Sequence, residues 1–434
     1  MRASDTRMIF PSKMQLDTQL YSDKFLPIKI LVFKLMYQVT LWKLRARYGK
    51  RKIRVGFLVS EIAKWKGQTL YDYLATSADF DPIIYVFPSH RELMEELPSL
   101  NSILTSKTDY FKNSGMAVEN IWDSEVSQQV LARQIDSDIV FYQQTWDIPP
   151  APYLKAIAPK ALTFYFPYYL VNNSIPQLEI GMYLHHYVYR YILLNEEQVN
   201  LYKPLVSSFH YAGKMIGLGH PCIDVFYLNR GYKATKNYVI YAPHFSFKGN
   251  RRQDNELFYY SSTFLEQGRL ILDYAKRHPE INWVFKPHPR LKMELFDQNV
   301  WQKEEIDEYY REWERIGIAC YDSHYADLFL ESKAMITDCS SFLTEYSCTG
   351  KPIIRLIPDE GRTLPPPNPI LVQLYDSYYK VYNNTELLNV LDVVVIQEKD
   401  PRKEERLKCI REVHLADHYA AKSITEYLRL LLKR

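Results

Sequence analysis

The sequence contains little glycine and little cysteine, and both shortages exclude classes of protein. Glycine occurs 14 times in 434 residues, which excludes a collagen-like chain. The five cysteines are an odd number and form no Cys-x-x-Cys pair, so they indicate neither a disulfide scaffold nor a zinc site. We therefore expect a reduced, cytoplasmic protein without a metal site.

Several motifs of nucleotide and metal enzymes are also missing. The sequence has no Walker loop, no Gly-x-Gly-x-x-Gly and no His-Glu-x-x-His, so nucleotide hydrolysis, dinucleotide redox chemistry and zinc proteolysis lose support. We expect no cofactor. Basic residues number 54 and acidic residues 51, and a net charge of +3 predicts no nucleic-acid partner. What is present is ordinary globular composition, with 47% hydrophobic and 24% charged residues, in a chain long enough for more than one domain.

Charge is unevenly distributed near the N-terminus. From Lys24 to Ser60 there is no acidic residue, whereas basic residues alternate with aliphatic and aromatic ones. The longest uncharged run there, Leu35 to Trp42, is far shorter than the roughly 20 residues of a spanning helix. Lysine stems beside an apolar face predict a helix that lies on an anionic membrane surface. The alternative is a helix packed on its own domain with a solvated basic side.

The remaining chain alternates strand patterns with helical ones, the rhythm of a doubly wound parallel sheet. A second series of such units begins after a boundary near residues 224–237, which predicts two α/β domains with a cleft between them as the expected site. The predicted strands are 53–59, 82–87, 138–142, 161–166 and 191–194 in the first domain, and 238–242, 283–286, 318–321, 334–337 and 352–356 in the second.

The strongest chemical signal is the segment from Met335 to Tyr346. A predicted strand ends there in Thr337-Asp338, and Ser340-Ser341 open a helix that continues through Glu345. Free amides and hydroxyls at a helix N-terminus suit a phosphate or diphosphate, and ligands of open α/β sheets lie beyond the carboxyl ends of strands. The alternative is an ordinary helix cap. Lys351, shortly after the helix, is a candidate additional cation.

Three further loops follow predicted strands. The run Lys286-Pro-His288-Pro-Arg290 holds a histidine between two cations, which favours a phosphate-facing loop over a rigid surface turn. His244 ends another strand. In the first domain Asp147 follows a strand, and a partly buried setting would make it a general base, whereas a solvated loop aspartate is the alternative.

Together these segments resemble the CDP-glycerol glycerophosphotransferase family, the teichoic-acid and capsule polymerases and their relatives. The resemblance covers roughly residues 135–430. It implies a GT-B architecture: two Rossmann-like domains, each with a parallel sheet, that face a central cleft. The implied domains are a basic amphipathic segment (1–50), an acceptor domain (51–230) and a nucleotide-donor domain (231–434). The matching residues are Gln144-Thr145-Trp146, Gly219 to Asp224, Tyr241-Ala242-Pro243, Lys286-Pro287-His288-Pro289, Thr337-Asp338-x-Ser340-Ser341 and Gly350-Lys351-Pro352.

The resemblance implies a transferase that moves a glycerol phosphate, or a related polyol phosphate, from a CDP-linked donor. The implied acceptor is a cell-surface polysaccharide or a lipid-linked molecule, and the enzyme is expected on the inner face of the cell membrane, attached peripherally to its anionic surface. In this scheme Asp147 and His288 are catalytic. The expected donor-binding residues are Lys286, Arg290, His244, Thr337, Asp338, Ser340, Ser341, Glu345 and Lys351.

One position departs from the family pattern. The family commonly reads Gln-Thr-Trp-His-Gly-Thr, with the histidine as base, and Asp147 stands where that histidine would be. A carboxylate can accept the same proton, but the change leaves a second hypothesis open: a GT-B glycosyltransferase that uses a CMP- or UDP-linked sugar for capsule, O-antigen or lipopolysaccharide synthesis. A third hypothesis is a non-catalytic assembly subunit that has kept the fold.

Overall fold

A computed structural model describes residues 25–89, 92–94, 96–122, 134–144, 154, 157–171, 187–206, 212–247, 262–320, 325–358, 368 and 371–433. The chain divides into two compact units. Of the described residues, those from 25 to 170, from 187 to 227 and from 418 to 433 form the first unit, and Val171 with those from 228 to 417 form the second. Two parallel sheets with flanking helices confirm the predicted α/β class.

The first unit is built on a parallel sheet. Its strands are β1 (Ile53–Val59), β2 (Phe80–Val86), β3 (Val118–Asn120), β4 (Ile139–Tyr142), β5 (Leu162–Tyr165), β6 (Arg190–Leu193) and β7 (Met215–Gly217). They lie in the order β3-β2-β1-β4-β5-β6-β7, and every neighbouring pair is parallel. The central strands β1, β4 and β5 are nearly continuous buried runs, as expected for a sheet covered on both faces.

The described helices of the first unit come from residues before and after the second unit in the sequence. They are α1 (Leu26–Arg47), α2 (Gln68–Ala75), α3 (Leu97–Asn113), α4 (Glu196–Val206) and, at its junction with the second unit, α5 (Asp224–Leu228). The final helix of the chain, Ala420–Lys433, also packs in this unit, with Ile424, Leu428 and Leu432 in the same buried core as the sheet. The sequence had assigned these last residues to the domain 231–434; their apolar face is buried in the first unit instead.

The second unit repeats the architecture with fewer strands. These are β8 (Tyr238–Ala242), β9 (Trp283–Phe285), β10 (Ile318–Ala319), β11 (Ser332–Thr337), β12 (Ile353–Leu356) and β13 (Tyr379–Val381), in the order β10-β9-β8-β11-β12-β13. All neighbouring pairs are again parallel. The helices are α6 (Phe264–Arg277), α7 (Leu291–Asp297), α8 (Lys303–Ile316), α9 (Ala326–Glu331), α10 (Ser340–Ser347), α11 (Val372–Asp376), α12 (Asn384–Leu391) and α13 (Lys403–Glu412), which makes Ala420–Lys433 α14.

Two features of the fold differ from the sequence prediction. The edge strands β3, β7 and β13 were not predicted, because each has only three residues and β3 faces solvent along much of its length. The sequence from Glu404 to Leu432 has continuous helical periodicity, which predicts one helical stretch, whereas the structure has the two helices α13 and α14. They are separated by a turn in which His414 and Ala416 have positive φ angles of 53° and 50°, which a helix cannot contain.

The N-terminal helix α1 is present, as its pattern predicts. Within the described part of the chain, no helix is both long enough and apolar enough to cross a bilayer.

Candidate functional site

The sheet of the second unit brings three of the predicted loops to one edge. Strands β9, β8 and β11 are adjacent and parallel, so the loops that follow them lie side by side. Backbone hydrogen bonds join the first two loops: the His288 amide donates to the Pro243 carbonyl at 2.9 Å. The His244 amide donates to an oxygen of Asp338, at 2.6 Å, and joins the third. The three sequence motifs therefore form one cluster.

Two histidines occupy the centre of this cluster. The ring centroids of His244 and His288 are 5.1 Å apart, and both side chains are only partly exposed. Burial, together with the neighbouring Arg290 cation, lowers the pKa of His288 to about 4. Burial likewise lowers the pKa of His244 to about 3. Both imidazoles are therefore neutral near pH 7.

The hydrogen bonds of His288 fix where its proton lies. The backbone N–H of Arg290 donates to Nδ1 of His288 at 3.1 Å. A neutral imidazole whose Nδ1 accepts a hydrogen bond carries its proton on Nε2. The two prolines around His288 hold the loop that makes this contact. His288 thus presents an N–H donor, which is the form that binds a phosphate oxygen without a prior change of protonation.

Arg290 contributes the fixed positive charge of this loop. Its guanidinium stacks on the ring of Phe245 at 4.4 Å and pairs with the buried carboxylate of Glu294. Phe245 also packs against His288, with ring centroids 4.5 Å apart. The sequence did not single out Phe245, although its place directly after His244 is a usable signal. Its ring holds the imidazole and the guanidinium in one orientation.

Ser340 and Ser341 begin helix α10 at the end of β11, as predicted. Both side chains are partly exposed, and Cys339, which precedes the helix, makes no side-chain cap. The Ser341 hydroxyl lies 3.3 Å from the sulfur of Cys339. The first amides of a helix have no intrahelical acceptor and carry the positive end of its dipole. This end of α10 is therefore suited to an anion.

Lys286 adjoins the same helix. Its ammonium lies 5.9 Å from the centre of the Phe342 ring and 5.7 Å from that of Tyr325. Tyr325 in turn donates a hydrogen bond to the buried carboxylate of Glu345 on α10. Tyr325 was missed by the sequence analysis, since nothing in its local pattern marks it. Lys286, Tyr325 and Glu345 form one linked group beside the helix start.

Thr337 and Asp338 have their polar atoms engaged inside the protein. The Thr337 hydroxyl donates to the Ala242 carbonyl at 2.6 Å and accepts from the Cys339 amide at 2.9 Å. The second oxygen of Asp338 accepts from the Thr263 amide at 2.7 Å. Burial raises the pKa of Asp338 to about 7. These contacts make both residues positioning groups for the loops, and the phosphate contact expected of them from the sequence stays a prediction.

Lys351 is not part of the cluster. It precedes β12 and so lies near the opposite, amino-terminal edge of the parallel sheet from Ser340. Its ammonium donates to the carbonyls of Phe329, at 2.9 Å, and Leu330 near the end of α9. Burial lowers the pKa of Lys351 to about 8. The sequence analysis grouped Lys351 with Ser340 and Ser341, but Lys351 follows the end of α10 whereas the two serines begin it. The predicted phosphate contact of Lys351 therefore does not fit its position.

Asp147, the predicted base, lies outside the described residues, as do Thr145 and Trp146 of its motif. Gln143 and Gln144, which directly follow β4, are described and buried. The Gln143 side-chain oxygen accepts from the backbone amide of Lys66 at 2.7 Å. Among the described side chains, no group of three His, Cys, Asp or Glu residues could hold a metal ion.

A groove of about 670 Å³ adjoins His288 within the second unit. One wall is the Pro287-His288-Pro289 loop, and the other is formed by α7 and α8. Tyr310 supplies an aromatic surface, while Lys292, Arg311, Asp307 and Glu314 supply charges of both signs. His288 therefore borders a cavity that can receive a polar ligand.

Comparison with known families identifies the class of this site. Residues 186–362 match the model of the CDP-Glycerol:Poly(glycerophosphate) glycerophosphotransferase family. The resemblance to that family is confirmed. The matched range contains β8, β9, β11 and α10, and with them every residue of the cluster described above. The match indicates a transferase and does not favour the nucleotide-sugar alternative. Among curated proteins, none matches this sequence.

Solved structures confirm the fold. The wall teichoic acid polymerase TagF, as an H548A variant, has a TM-score of 0.53 at 10% identity, with 100% of this chain and 98% of that chain covered. UDP-GlcNAc 2-epimerase from Neisseria meningitidis has a TM-score of 0.52 at 14% identity, covering 87% and 99%. A Listeria monocytogenes protein described as a UDP-N-acetylglucosamine 2-epimerase scores 0.53 at 12% identity, covering 87% and 96%. At these identities the likeness concerns the GT-B-type fold alone.

Proposed function

We propose that this protein transfers glycerol phosphate, or a related polyol phosphate, from a CDP-linked donor to a hydroxyl group of an acceptor. The observation that carries the proposal is the family match across the segment that holds the histidine pair and the start of α10. A TagF structure described as soaked with CDPG shows that a protein of similar fold has been studied with such a donor. The donor binds the second unit in this proposal.

The chemistry of the cluster suits a diphosphate. The amides at the start of α10 and the Nε2–H of His288 offer neutral hydrogen-bond donors, and Arg290 and Lys286 supply fixed positive charge. Such preorganised donors stabilise negative charge without reorganisation of solvent. Since the two imidazoles are neutral, they can donate hydrogen bonds to the diphosphate, and in this proposal another group takes the proton of the acceptor.

The proposed reaction is a substitution at the β-phosphorus of the donor. The acceptor oxygen forms a bond to that phosphorus while the bond to the bridging oxygen breaks, so that CMP leaves and a phosphodiester forms. His288 and the start of α10 stabilise the negative charge that develops on the leaving phosphate. Asp147, in the first unit, is proposed as the base that takes the proton of the acceptor hydroxyl.

We further propose that the acceptor is a polysaccharide or a lipid-linked molecule and that the enzyme works on the inner face of the cell membrane as a peripheral protein. The basic sequence from Lys24 to Arg54, which contains no acidic residue, supports this location.

Calorimetry of donor binding tests the site. Replacing both hydroxyls, Ser340→Ala with Ser341→Ala, should weaken CDP-glycerol binding by at least about 100-fold, because each of the two hydrogen bonds to a charged group contributes ~1.5–3 kcal/mol. The matched control is Ser99→Ala with Ser102→Ala, two exposed serines of α3, which should leave affinity unchanged. Unchanged affinity in a folded Ser340/Ser341 double variant would place the donor elsewhere.

A donor panel tests the reaction itself. The wild-type protein, given an acceptor preparation and CDP-glycerol, a CMP-linked sugar or a UDP-linked sugar, should release nucleotide only with the CDP-linked polyol. The product should contain a new phosphodiester, which phosphorus NMR detects. A glycosidic product from a nucleotide sugar would replace the proposal with the glycosyltransferase hypothesis.

A further inference from the structure

Helix α1 is apolar on two opposite sides, and only one of them is covered. Its inner side carries Ile30, Phe33, Tyr37, Leu41 and Leu44, all buried in the core of the first unit. Its outer side carries an apolar stripe of residues that are each between 46% and 70% exposed: Ile28, Leu31, Val32, Leu35, Val39 and Trp42. A helix that is apolar all round is ordinarily buried all round. The exposed stripe therefore requires a partner.

The inner side fixes the orientation of the helix. The Tyr37 hydroxyl donates to the Tyr187 carbonyl at 2.9 Å and also bonds to Thr163 on β5. The Thr40 hydroxyl donates to the Ala158 carbonyl at 3.1 Å. Because these contacts are buried, α1 cannot rotate to hide its outer stripe without breaking them. The stripe is a fixed surface of the folded first unit.

The positions of the charges define what this surface fits. At about 100° of rotation per residue, the six stripe residues fall within an arc of about 100°. Lys29 and Arg47 lie beyond one margin of this arc, Lys34 and Arg45 beyond the other, and Lys43 at its rim. The helix has no acidic residue. An apolar centre with cations along its margins matches the boundary between acyl chains and anionic headgroups, where long basic side chains reach the phosphates.

We infer that the outer stripe of α1 inserts into the interface of an anionic bilayer and holds the first unit against it. The inference deepens the proposed peripheral location and rests on it. A second copy of this chain is the less suitable occupant, because its α1 would bring a second set of cations against the first. A neutral bilayer would offer the flanking cations no anionic headgroups.

Vesicle flotation with the full chain tests the inference. Wild-type protein should float with vesicles of phosphatidylcholine containing about 30% phosphatidylglycerol and bind much less to pure phosphatidylcholine, and added salt should weaken the binding. The variant Ile28→Ser with Leu35→Ser and Trp42→Ser should lower the partition coefficient at least about tenfold. These residues are exposed, so the variant should keep the wild-type circular dichroism and melting temperature.

The matched control replaces three exposed apolar residues of the second unit, Leu228→Ser with Phe296→Ser and Ile318→Ser, and should bind vesicles as the wild type does. Equal binding by the stripe variant, or no binding by the wild type, would overturn the inference. Sedimentation equilibrium supplies another contradiction: a wild-type dimer that the stripe variant abolishes would assign the surface to a second copy. Calorimetry with CDP-glycerol is run on the same samples. Absence of donor binding by the wild type would contradict the proposed function, whereas vesicle binding would still decide the role of α1.

Discussion

Each unit contains a buried aspartate that accepts hydrogen bonds from two backbone amides, and the two hold different parts of the molecule. Asp224 of the first unit accepts from the amides of Ala420 and Ala421, at 2.7 and 2.9 Å, and from the Thr69 hydroxyl at 3.0 Å. Asp338 of the second unit accepts from the amides of His244 and Thr263. One carboxylate fixes the start of α14, whereas the other joins the loop after β11 to the segment that links β8 to α6.

The difference shows that a buried aspartate bonded to two backbone amides can serve either the fold alone or the candidate site. Burial raises the pKa of Asp224 to about 6 and that of Asp338 to about 7, so both groups are held at some cost to the stability of the fold. The first merely fastens a terminal helix to its own unit. The second directly follows β11 in the candidate site, where it holds the His244 amide. If the second unit binds the donor, as proposed, only the second carboxylate should affect donor binding.

The largest expected effect concerns the division of labour between the units. If the first unit supplies the base, Asp147→Asn should lower turnover by ~10²–10⁴ and leave the affinity for CDP-glycerol unchanged, because the amide keeps the size and loses only the basicity. Steady-state kinetics of CMP release, together with calorimetry, measures both quantities.

Asp136→Asn is the control for this comparison, since Asp136 is a strongly exposed aspartate of the same unit. It should leave both quantities unaltered. Near-normal turnover of Asp147→Asn would assign the base elsewhere, with His185, His186 and His244 the next candidates. Loss of donor affinity would instead place Asp147 in the nucleotide pocket.

A smaller effect separates the two buried aspartates. Asp338→Asn and Asp224→Asn each place a side-chain NH₂ group against a buried backbone N–H, or leave that N–H without an acceptor. Each substitution should therefore lower the free energy of unfolding by ~1–3 kcal/mol. Only Asp338→Asn should also weaken CDP-glycerol binding, by roughly tenfold, the equivalent of ~1.4 kcal/mol. Urea unfolding and calorimetry on both variants provide the measurement. Equal loss of donor affinity in the two variants would refute the distinction.

The sequence predicted the parts of the fold that local pattern controls. The buried strands of both sheets and the motif loops at their carboxyl ends can be identified from apolar runs that end in polar residues, as β1, β4 and β8 show. Their clustering follows from parallel topology. The predicted role of Lys351 failed because its distance in sequence from Ser341 does not reveal that it lies at the other edge of the sheet.

Other features depend on contacts that no local pattern records. The attachment of α14 to the first unit rests on Asp224, which lies 196 residues before Ala420 in the sequence. The positioning role of Asp338 depends on which backbone amides face its oxygens, and the sequence presents the same residue as a plausible phosphate ligand. The partnership of Tyr325 with Glu345 likewise exists only in three dimensions.

The smallest expected effect is a pH dependence that distinguishes the histidines of the two units. His288 of the second unit and His220 of the first both have a pKa lowered to about 4 by burial. A diphosphate bound beside His288 stabilises its protonated form and raises its pKa, so the complex holds more protons than the free protein at mildly acidic pH. CDP-glycerol affinity should therefore rise a few-fold as the pH falls from 7 towards 5.

His220, which bonds to the Pro167 carbonyl, faces no proposed ligand group. Accordingly, calorimetry across this pH range should show the dependence reduced in His288→Gln and retained in His220→Gln. A dependence that His220→Gln removes and His288→Gln keeps would reverse the assignment of the donor site to the second unit.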